Sequence, residues 1–514
     1  MKKILIVGGG IAGWLAAGYL AREFSASSAK GCEITVIDTP IHGAIGVGEG
    51  TFPTIRRTLQ RIGIHESALI RDCGASFKQG IRFVGWRGIE RPDGGGDVYL
   101  HPFQFTREPT GLDLLSYWLL GQAGNVGWDD ASSVQKPIVD QHLGPKLENH
   151  PEFEGPLDYA YHVDAVRLAE LLRQAALSLG VKQVDDEVLG ADVDPTGNLR
   201  SVLTRTHQSL SADLYVDCTG FRALLIGQTL DSPYRSCRSA LFCDSALAIQ
   251  VPYQQSLAPI QSCTVSTAQE AGWIWDIGLT ERRGIGYVFS SAHTSVERAD
   301  EVLQHYVGGL PRRSEPRLLR FDAGYREQSW IGNCVSIGLS AGFFEPLEAT
   351  GIILIEAACA LLARLFPWGG EHQVAARQFN RIMNARYERT LDFIKLHFCL
   401  SKRQDSDFWR DNTDAASIPD TLKERLEHWL YRVPAGLDFD LNIDLFSEHS
   451  WQHILYGMGY RTDLMPRAQS FRYRKEAAQI FVDMRRHAEM ACKTLPDHRS
   501  LLRNIVQGAS MNCR

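Results

Sequence analysis

The chain has 514 residues, of which 44% are hydrophobic and 22% charged. That balance excludes a disordered, collagen-like or coiled-coil protein and leaves room for roughly two to four domain-sized units. Lys+Arg number 54 against Asp+Glu 60, a net charge of -6, so there is no electrostatic basis for binding a polyanion such as nucleic acid. The 11 cysteines are scattered and contain no C-x-x-C pair. This argues against a disulfide framework or a thiolate metal site and suits a reducing cytoplasm.

The N-terminus reads K-I-L-I-V, G-G-G-I-A-G, W-L-A-A-G-Y-L-A-R. Lys2 and Lys3 before an apolar run resemble a secretory leader, but Gly8, Gly9, Gly10 and Gly13 break the run, so the spacing predicts strand, tight turn and helix. Gly8 permits the turn, Gly10 lets backbone approach a pyrophosphate, and Gly13 lets helix and strand pack closely. The free N–H groups at the helix start, Ala12 among them, then face the anion. A second strand, Glu33 to Ile37, ends at Asp38, about 25 positions after Gly13, near the spacing of a ribose-binding carboxylate.

Further along, 163–180 follows a helical pattern with Leu168, Leu171, Leu172, Ala175 and Leu179 on one face, Asp164 as N-cap and Gly180 as the stop. Strands are expected around Val188 and over 199–204, joined by the turn Asp194-Pro195-Thr196-Gly197, and over 213–217. Cys218-Thr219-Gly220 and Ser336-Ile337-Gly338-Leu339 resemble later fingerprints of two-dinucleotide-domain flavoproteins, although the acidic residue usual at the last position is Leu339 here. A single G-x-G-x-x-G favours a bound flavin over a second NAD(P)H site. The stretch 239–290 is rich in short strand patterns. Gly351 to Phe366 is apolar but interrupted by Glu356 and Arg364, which suits a buried helix rather than a membrane span. After 375, Phe379, Ile382, Met383, Tyr387, Leu391, Ile394 and Phe398 recur at helical spacing. The expected fold is α/β: an FAD-binding Rossmann-like core over 1–370, with a β-rich substrate segment at about 239–325, followed by a mostly helical part over 371–514.

Four stretches resemble the flavin-dependent halogenases of the tryptophan-halogenase family. They are Ile45-Gly46-Val47-Gly48-Glu49-Gly50-Thr51, Phe77-Lys78-Gln79-Gly80-Ile81, Gly272-Trp273-Ile274-Trp275-Asp276-Ile277 and Gly342-Phe343-Phe344-Glu345-Pro346-Leu347-Glu348-Ala349-Thr350-Gly351. The third resembles W-x-W-x-I-P, with Gly278 in place of the proline. The fourth resembles P-L-E-S-T-G, with Ala349 in place of serine. The resemblance implies that FADH2, O2 and chloride or bromide together give hypohalous acid, with a separate NAD(P)H-dependent flavin reductase as partner. A soluble cytoplasmic enzyme, with a homodimer as the candidate assembly and no membrane, metal or nucleic acid involved, is the expected setting.

The same resemblance assigns residues. Lys78 and Glu348 are the expected catalytic pair. Lys78 either hydrogen-bonds and polarises hypohalous acid or forms a haloamine; Glu348 stabilises a cationic ring and accepts its proton, and also suits a carboxylate before a helix. Gly8, Gly10, Ala12, Gly13, Asp38, Gly48, Glu49, Val188, Leu339 and Ile352 would hold the cofactor. Thr350 and Gly351 would hold halide, a helix cap being the plainer role for Thr350. Trp273, Trp275, His101, Phe103 and Phe344 would line the aromatic pocket and keep substrate from the flavin. The tyrosine pair that helps hold the amino acid in free-tryptophan halogenases is missing, and Ser447-Glu448-His449-Ser450-Trp451 differs in kind. An indole or other electron-rich arene is therefore expected rather than free tryptophan. The alternatives are an FAD-dependent aromatic monooxygenase of the same fold and a flavin-binding protein without turnover.

Overall fold

The structure is a computed structural model that describes residues 2–28, 31–39, 48–91, 94, 96–104, 111–313 and 315–512. Ile45, Gly46 and Val47 of the first family stretch lie outside the described residues. The chain forms two compact units that interleave along the sequence: residues 1–75, 163–237 and 321–388 make the first, and residues 76–162, 238–320 and 389–514 the second. Compactness follows long-range strand pairing, so these units do not track the change of composition near residue 370.

In the first unit, Lys3–Val7 lies inside a six-stranded sheet. The order is Trp330–Ile331, Cys334–Ser336, Leu214–Asp217, Lys3–Val7, Glu33–Asp38, Lys182–Asp185. All neighbours are parallel except the first pair. Such a sheet is buried on both faces, which explains the unbroken apolar run after Lys3. The helix Ile11–Glu23 packs against the helices Ala165–Ser178 and Thr350–Leu365. Asp164 caps Ala165–Ser178 by accepting the N–H groups of Val166 and Arg167. Its buried stripe is Ala165, Leu168, Leu172 and Ala176, so Leu171, Ala175 and Leu179 flank the buried face rather than centre it. The strands Val188–Val193 and Leu199–Thr204 pair antiparallel.

The second unit is built on a seven-stranded sheet, ordered Arg317–Arg320, Ser245–Pro252, Arg282–Phe289, Gly272–Gly278, Thr264–Gln269, Gly80–Val84, Val98–Pro102. Neighbours are antiparallel except Thr264–Gln269 beside Gly80–Val84. The expected β-rich segment supplies five strands; Gly80–Val84 and Val98–Pro102 come from far upstream. After residue 389 the second unit continues as helices joined by short turns. Among the described residues no helix is long and apolar enough to cross a membrane.

Candidate active site

The nucleotide end is set by three glycines with different surroundings. Gly8 has φ +109°, and a Cβ there would lie 2.4 Å from the Cys218 carbonyl oxygen. A Cβ on Gly13 would lie 1.8 Å from the Gly8 carbonyl oxygen. These two positions are closed by the fold itself. Gly10 is open, with nothing among the described residues within 4 Å of where its Cβ would be. It caps the helix Ile11–Glu23 without a side chain, so the helix N–H groups are left for an anion. Asp38, at the end of its strand, accepts the Gly9 N–H at 3.1 Å, and that bond aims its carboxylate at the same turn. Free amides, an uncovered helix start and an oriented carboxylate fit a dinucleotide.

The other cofactor candidates fall in varied places. Burial pushes the Glu49 carboxyl, in the strand Gly48–Gly50, up to about 7. Gly338 lies so close to the first helix that a Cβ would stand 2.7 Å from the Ala12 methyl, which places Leu339 just beyond that contact. Ile352 is buried on the helix Thr350–Leu365. Val188 belongs to the apolar core with Leu5, Val7 and Ile37, a packing position.

The start of the helix Thr350–Leu365 carries the halide candidates. Ala349 sits at φ +56°, ψ +38°, a left-handed conformation that costs a residue with a side chain about 1–2 kcal/mol. Glu348 is fully buried. Thr350 is 1% exposed, and its hydroxyl has no hydrogen-bond partner among the described residues; the helix is capped by Ala349. A Cβ on Gly351 would meet nothing among the described residues within 4 Å. A helix start with a buried unpartnered hydroxyl beside open space suits a small anion. Phe344 is buried against Tyr325 and Tyr387.

Lys78 ends the strand Ser76–Lys78, which pairs antiparallel with Ala160–Asp164 in the register Ser76 to His162 and Lys78 to Ala160. It is 1% exposed, and its Nζ stands 5.2 Å from the centroid of the Phe103 ring. The Phe103 N–H donates to the Gln79 carbonyl at 3.1 Å and to Gln135 Oε1 at 2.9 Å. Gln135 in turn donates to the Asp158 carbonyl at 2.6 Å, so the ring beside Lys78 is firmly held. Burial, then the Lys78 charge, holds the His162 imidazole well below its ordinary range. An imidazole held neutral and an aromatic face therefore lie near the Lys78 amine.

His101, on Val98–Pro102, is fully buried and stacks on His453 with centroids 6.1 Å apart. Burial, then His101 and His449, keeps His453 neutral. A cleft of about 330 Å³ opens beside His453 and Trp128, with Asp113 and Glu448 in its lining. Trp273 and Trp275 share one face of Gly272–Gly278, with ring centroids 6.4 Å apart. Gly286 pairs with Trp275, and a Cβ there would enter the Trp275 ring. The Trp275 indole N–H is buried without a partner among the described residues.

The family model described as tryptophan halogenase matches residues 3–472. The chain belongs to this family. It is 35% identical over 479 residues to tryptophan 6-halogenase SttH of Streptomyces toxytricini, covering 89% of each chain. It is 33% identical to tryptophan 7-halogenase RebH of Lentzea aerocolonigenes, covering 98% of each. Among solved structures, a tryptophan halogenase from Shewanella frigidimarina superposes with a TM-score of 0.92 at 39% identity, covering 99% of this chain and 98% of that one. BrvH, a flavin-dependent halogenase from Brevundimonas, gives 0.87 at 33% identity, covering 98% and 99%.

The fold is thus the FAD-binding Rossmann-like fold of an FADH2-dependent halogenase, an oxidoreductase of a family that uses FADH2, O2 and halide. Such halogenases need a separate flavin reductase and an aromatic substrate. Several side chains of this halogenase had no sequence signal, among them His453 against His101 and Trp128 in the cleft wall. Each is a lone polar or aromatic residue whose partner lies far away in sequence.

Proposed function

We propose that this halogenase converts chloride or bromide to hypohalous acid and that Lys78 delivers the halogen to an indole or other electron-rich arene rather than to free tryptophan. The observation that carries this reading is the buried Lys78 ammonium over Phe103. The Gly10 turn and Asp38 would hold FADH2, which with O2 would supply the oxidation of the halide. Thr350 and Gly351 hold the anion at the helix start. Lys78 donates a hydrogen bond to hypohalous acid and so makes its halogen more electrophilic. When the ring attacks, it becomes cationic, and Glu348 takes the proton that restores aromaticity. Trp273, Trp275, His101, Phe103 and Phe344 exclude water and confine the ring.

The substrate preference is supported by the cleft beside His453. Its described lining carries the carboxylates of Asp113 and Glu448 and no lysine or arginine, so an α-carboxylate has no cationic partner there. The reductase partner is NAD(P)H-dependent, and a cytoplasmic setting accords with ten described cysteines that are all free thiols. The deciding experiment incubates the enzyme with reductase, NADH, O2, either halide and a panel of indoles and phenols, and reads products by mass spectrometry. Halogenated arene that requires halide is expected. Hydroxylated arene without halogen, or no product across the panel, would overturn the reading.

A further inference from the structure

Lys78 sits on a strand with pairing on one side only. Toward Tyr161 and His162 the strand Ser76–Lys78 has a regular antiparallel neighbour. On its other edge three separate bonds replace a ladder. The Ser76 hydroxyl donates to the Gly278 carbonyl at 2.5 Å. The Gln79 N–H donates to the Ser262 carbonyl at 2.7 Å. Between them, the Phe77 N–H donates to Nε2 of His498 at 3.0 Å.

His498 begins the helix His498–Asn512, past residue 472, where the match to the family model ends. It is fully buried. Its other ring nitrogen, Nδ1, is 3.1 Å from the Ile260 carbonyl oxygen. A backbone N–H only donates and a carbonyl only accepts, so the two bonds fix one tautomer: hydrogen on Nδ1, lone pair on Nε2. The imidazole therefore spans Ile260 and Phe77 as a side-chain rung, where Ser262 and Gln79 make the next rung directly. Its own surroundings are stiff. The His498 N–H donates to the His142 carbonyl at 2.9 Å, and Arg499 donates to the carbonyls of Ala258 at 2.6 Å and Thr280 at 3.0 Å. The His498 ring also lies against Phe77, with centroids 5.9 Å apart. Burial holds its pKa down at about 4, so the Nε2 lone pair is available at any working pH near neutrality.

We infer that His498 is a positioning residue for halogen transfer: it locks Phe77 to Ile260 and thereby fixes the strand end from which Lys78 presents its ammonium. This rests on the role proposed for Lys78. Loss of the rung leaves a buried N–H without an acceptor and frees the strand to shift, and displacement of about 1 Å at a reacting group costs ~100-fold in rate. Hypohalous acid formed in the enzyme would then escape rather than react with the arene.

The test compares His498→Asn, His498→Phe and His498→Gln in the full-length flavin-loaded enzyme, with Lys78→Met in parallel. Gln reaches the Nε2 position and can accept the Phe77 N–H; Asn reaches only the Nδ1 position; Phe keeps a ring and loses both bonds. Two quantities are read: halogenated arene per reduced flavin consumed, and free hypohalous acid caught by an added scavenger. The expected result is a ~10- to 100-fold fall in the first and a rise in the second for His498→Asn and His498→Phe, unchanged flavin affinity, and substantial recovery in His498→Gln. Wild-type coupling in His498→Asn and His498→Phe, alongside uncoupling in Lys78→Met, overturns the inference alone. Parallel loss of flavin affinity, coupling and thermal stability in all three His498 variants also overturns it, because that marks a merely structural residue. Full coupling in Lys78→Met overturns the inference and the Lys78 role together. Should His498→Phe fail to fold, His498→Asn carries the comparison.

Discussion

The carboxylate of Glu356 accepts the hydroxyl of Thr54 at 2.9 Å, and its second oxygen accepts that of Thr58. This ties the helix that begins at Thr350 to the helix Ile55–Arg61 and its preceding residue. Burial pushes the Glu356 carboxyl from 4.5 up to about 7, and the two threonine bonds only partly oppose it. A raised acid pKa means that the folded state holds the proton more tightly than the unfolded one. Its contribution to stability is therefore complete below about 4.5 and is lost as pH rises through about 7. A shift of this size corresponds to about 3 kcal/mol across that window. Thermal unfolding of wild type and Glu356→Gln at pH 5 and pH 8 checks it: the variant should lose much less stability between the two. Equal pH slopes would show that Glu356 is not the titrating group.

Gly10 and Gly13 should respond in opposite ways to alanine. The extra methyl on Gly13 would collide with the Gly8 carbonyl, so Gly13→Ala is expected to destabilise the fold by about 3 kcal/mol. Gly10 has clear space at that position among the described residues, so Gly10→Ala should stay within about 1 kcal/mol of wild type in stability. The methyl would instead stand where a pyrophosphate approaches the helix start, and flavin affinity should fall about tenfold or more. Denaturation curves and fluorescence titration with FAD separate the two effects. A Gly10→Ala enzyme with unaltered flavin affinity would move the cofactor site elsewhere.

Lys78→Ala is expected to abolish halogenation while leaving flavin binding intact. Without the ammonium nothing over Phe103 polarises hypohalous acid, and the loss should reach at least about 100-fold. Product formation with bromide and a flavin titration on the same preparation decide it. Halogenation at the wild-type rate in this variant removes Lys78 from the mechanism.

Sequence legibility divides along locality. Gly8, Gly10 and Gly13 sit in one strand–turn–helix unit, Asp38 ends the strand that follows it, and Asp164 caps the helix it precedes, so their placement could be read from spacing. Helix 165–178 was legible in extent but not in its exact stripe, because which neighbours cover Leu171 and Ala175 depends on distant elements. The strands Gly80–Val84 and Val98–Pro102 join a sheet through the pairing of Ile81 with Thr264, and no periodicity within either segment announces that partner. Lys78 and Glu348 were legible only through family motifs, since a lone lysine or glutamate is ordinarily a solvated charge. His498 carried no signal at all: its ring bonds run to Phe77 and Ile260, each more than two hundred residues away.

Glu348→Gln should slow turnover strongly without changing which halide is accepted. Gln keeps the size and buried position of Glu348 but cannot take a proton from a cationic ring. General-base loss of this kind costs roughly 100- to 10,000-fold. A solvent or substrate isotope effect should appear in the variant, because proton removal becomes slow enough to limit the rate. Unchanged kinetics would leave Glu348 only its electrostatic role before the helix that begins at Thr350.

The cleft beside His453 predicts how side chains on an indole are ranked. Asp113 and Glu448 give its lining two carboxylates, and no lysine or arginine is among its described residues. An alkylammonium side chain meets opposite charge there, while a free amino acid brings an additional carboxylate that meets like charge. Like-charge contact in a partly desolvated cleft costs on the order of 1–3 kcal/mol, or about ten- to a hundredfold in kcat/KM. Tryptamine should therefore outcompete tryptophan in a mixed-substrate assay read by mass spectrometry, with unsubstituted indole between them. Glu448→Gln should narrow the gap, since it removes one charge from the cleft without changing its volume. If tryptophan were the preferred substrate of the wild-type enzyme and Glu448→Gln left the ranking unchanged, the charge of this cleft would play no part in substrate choice.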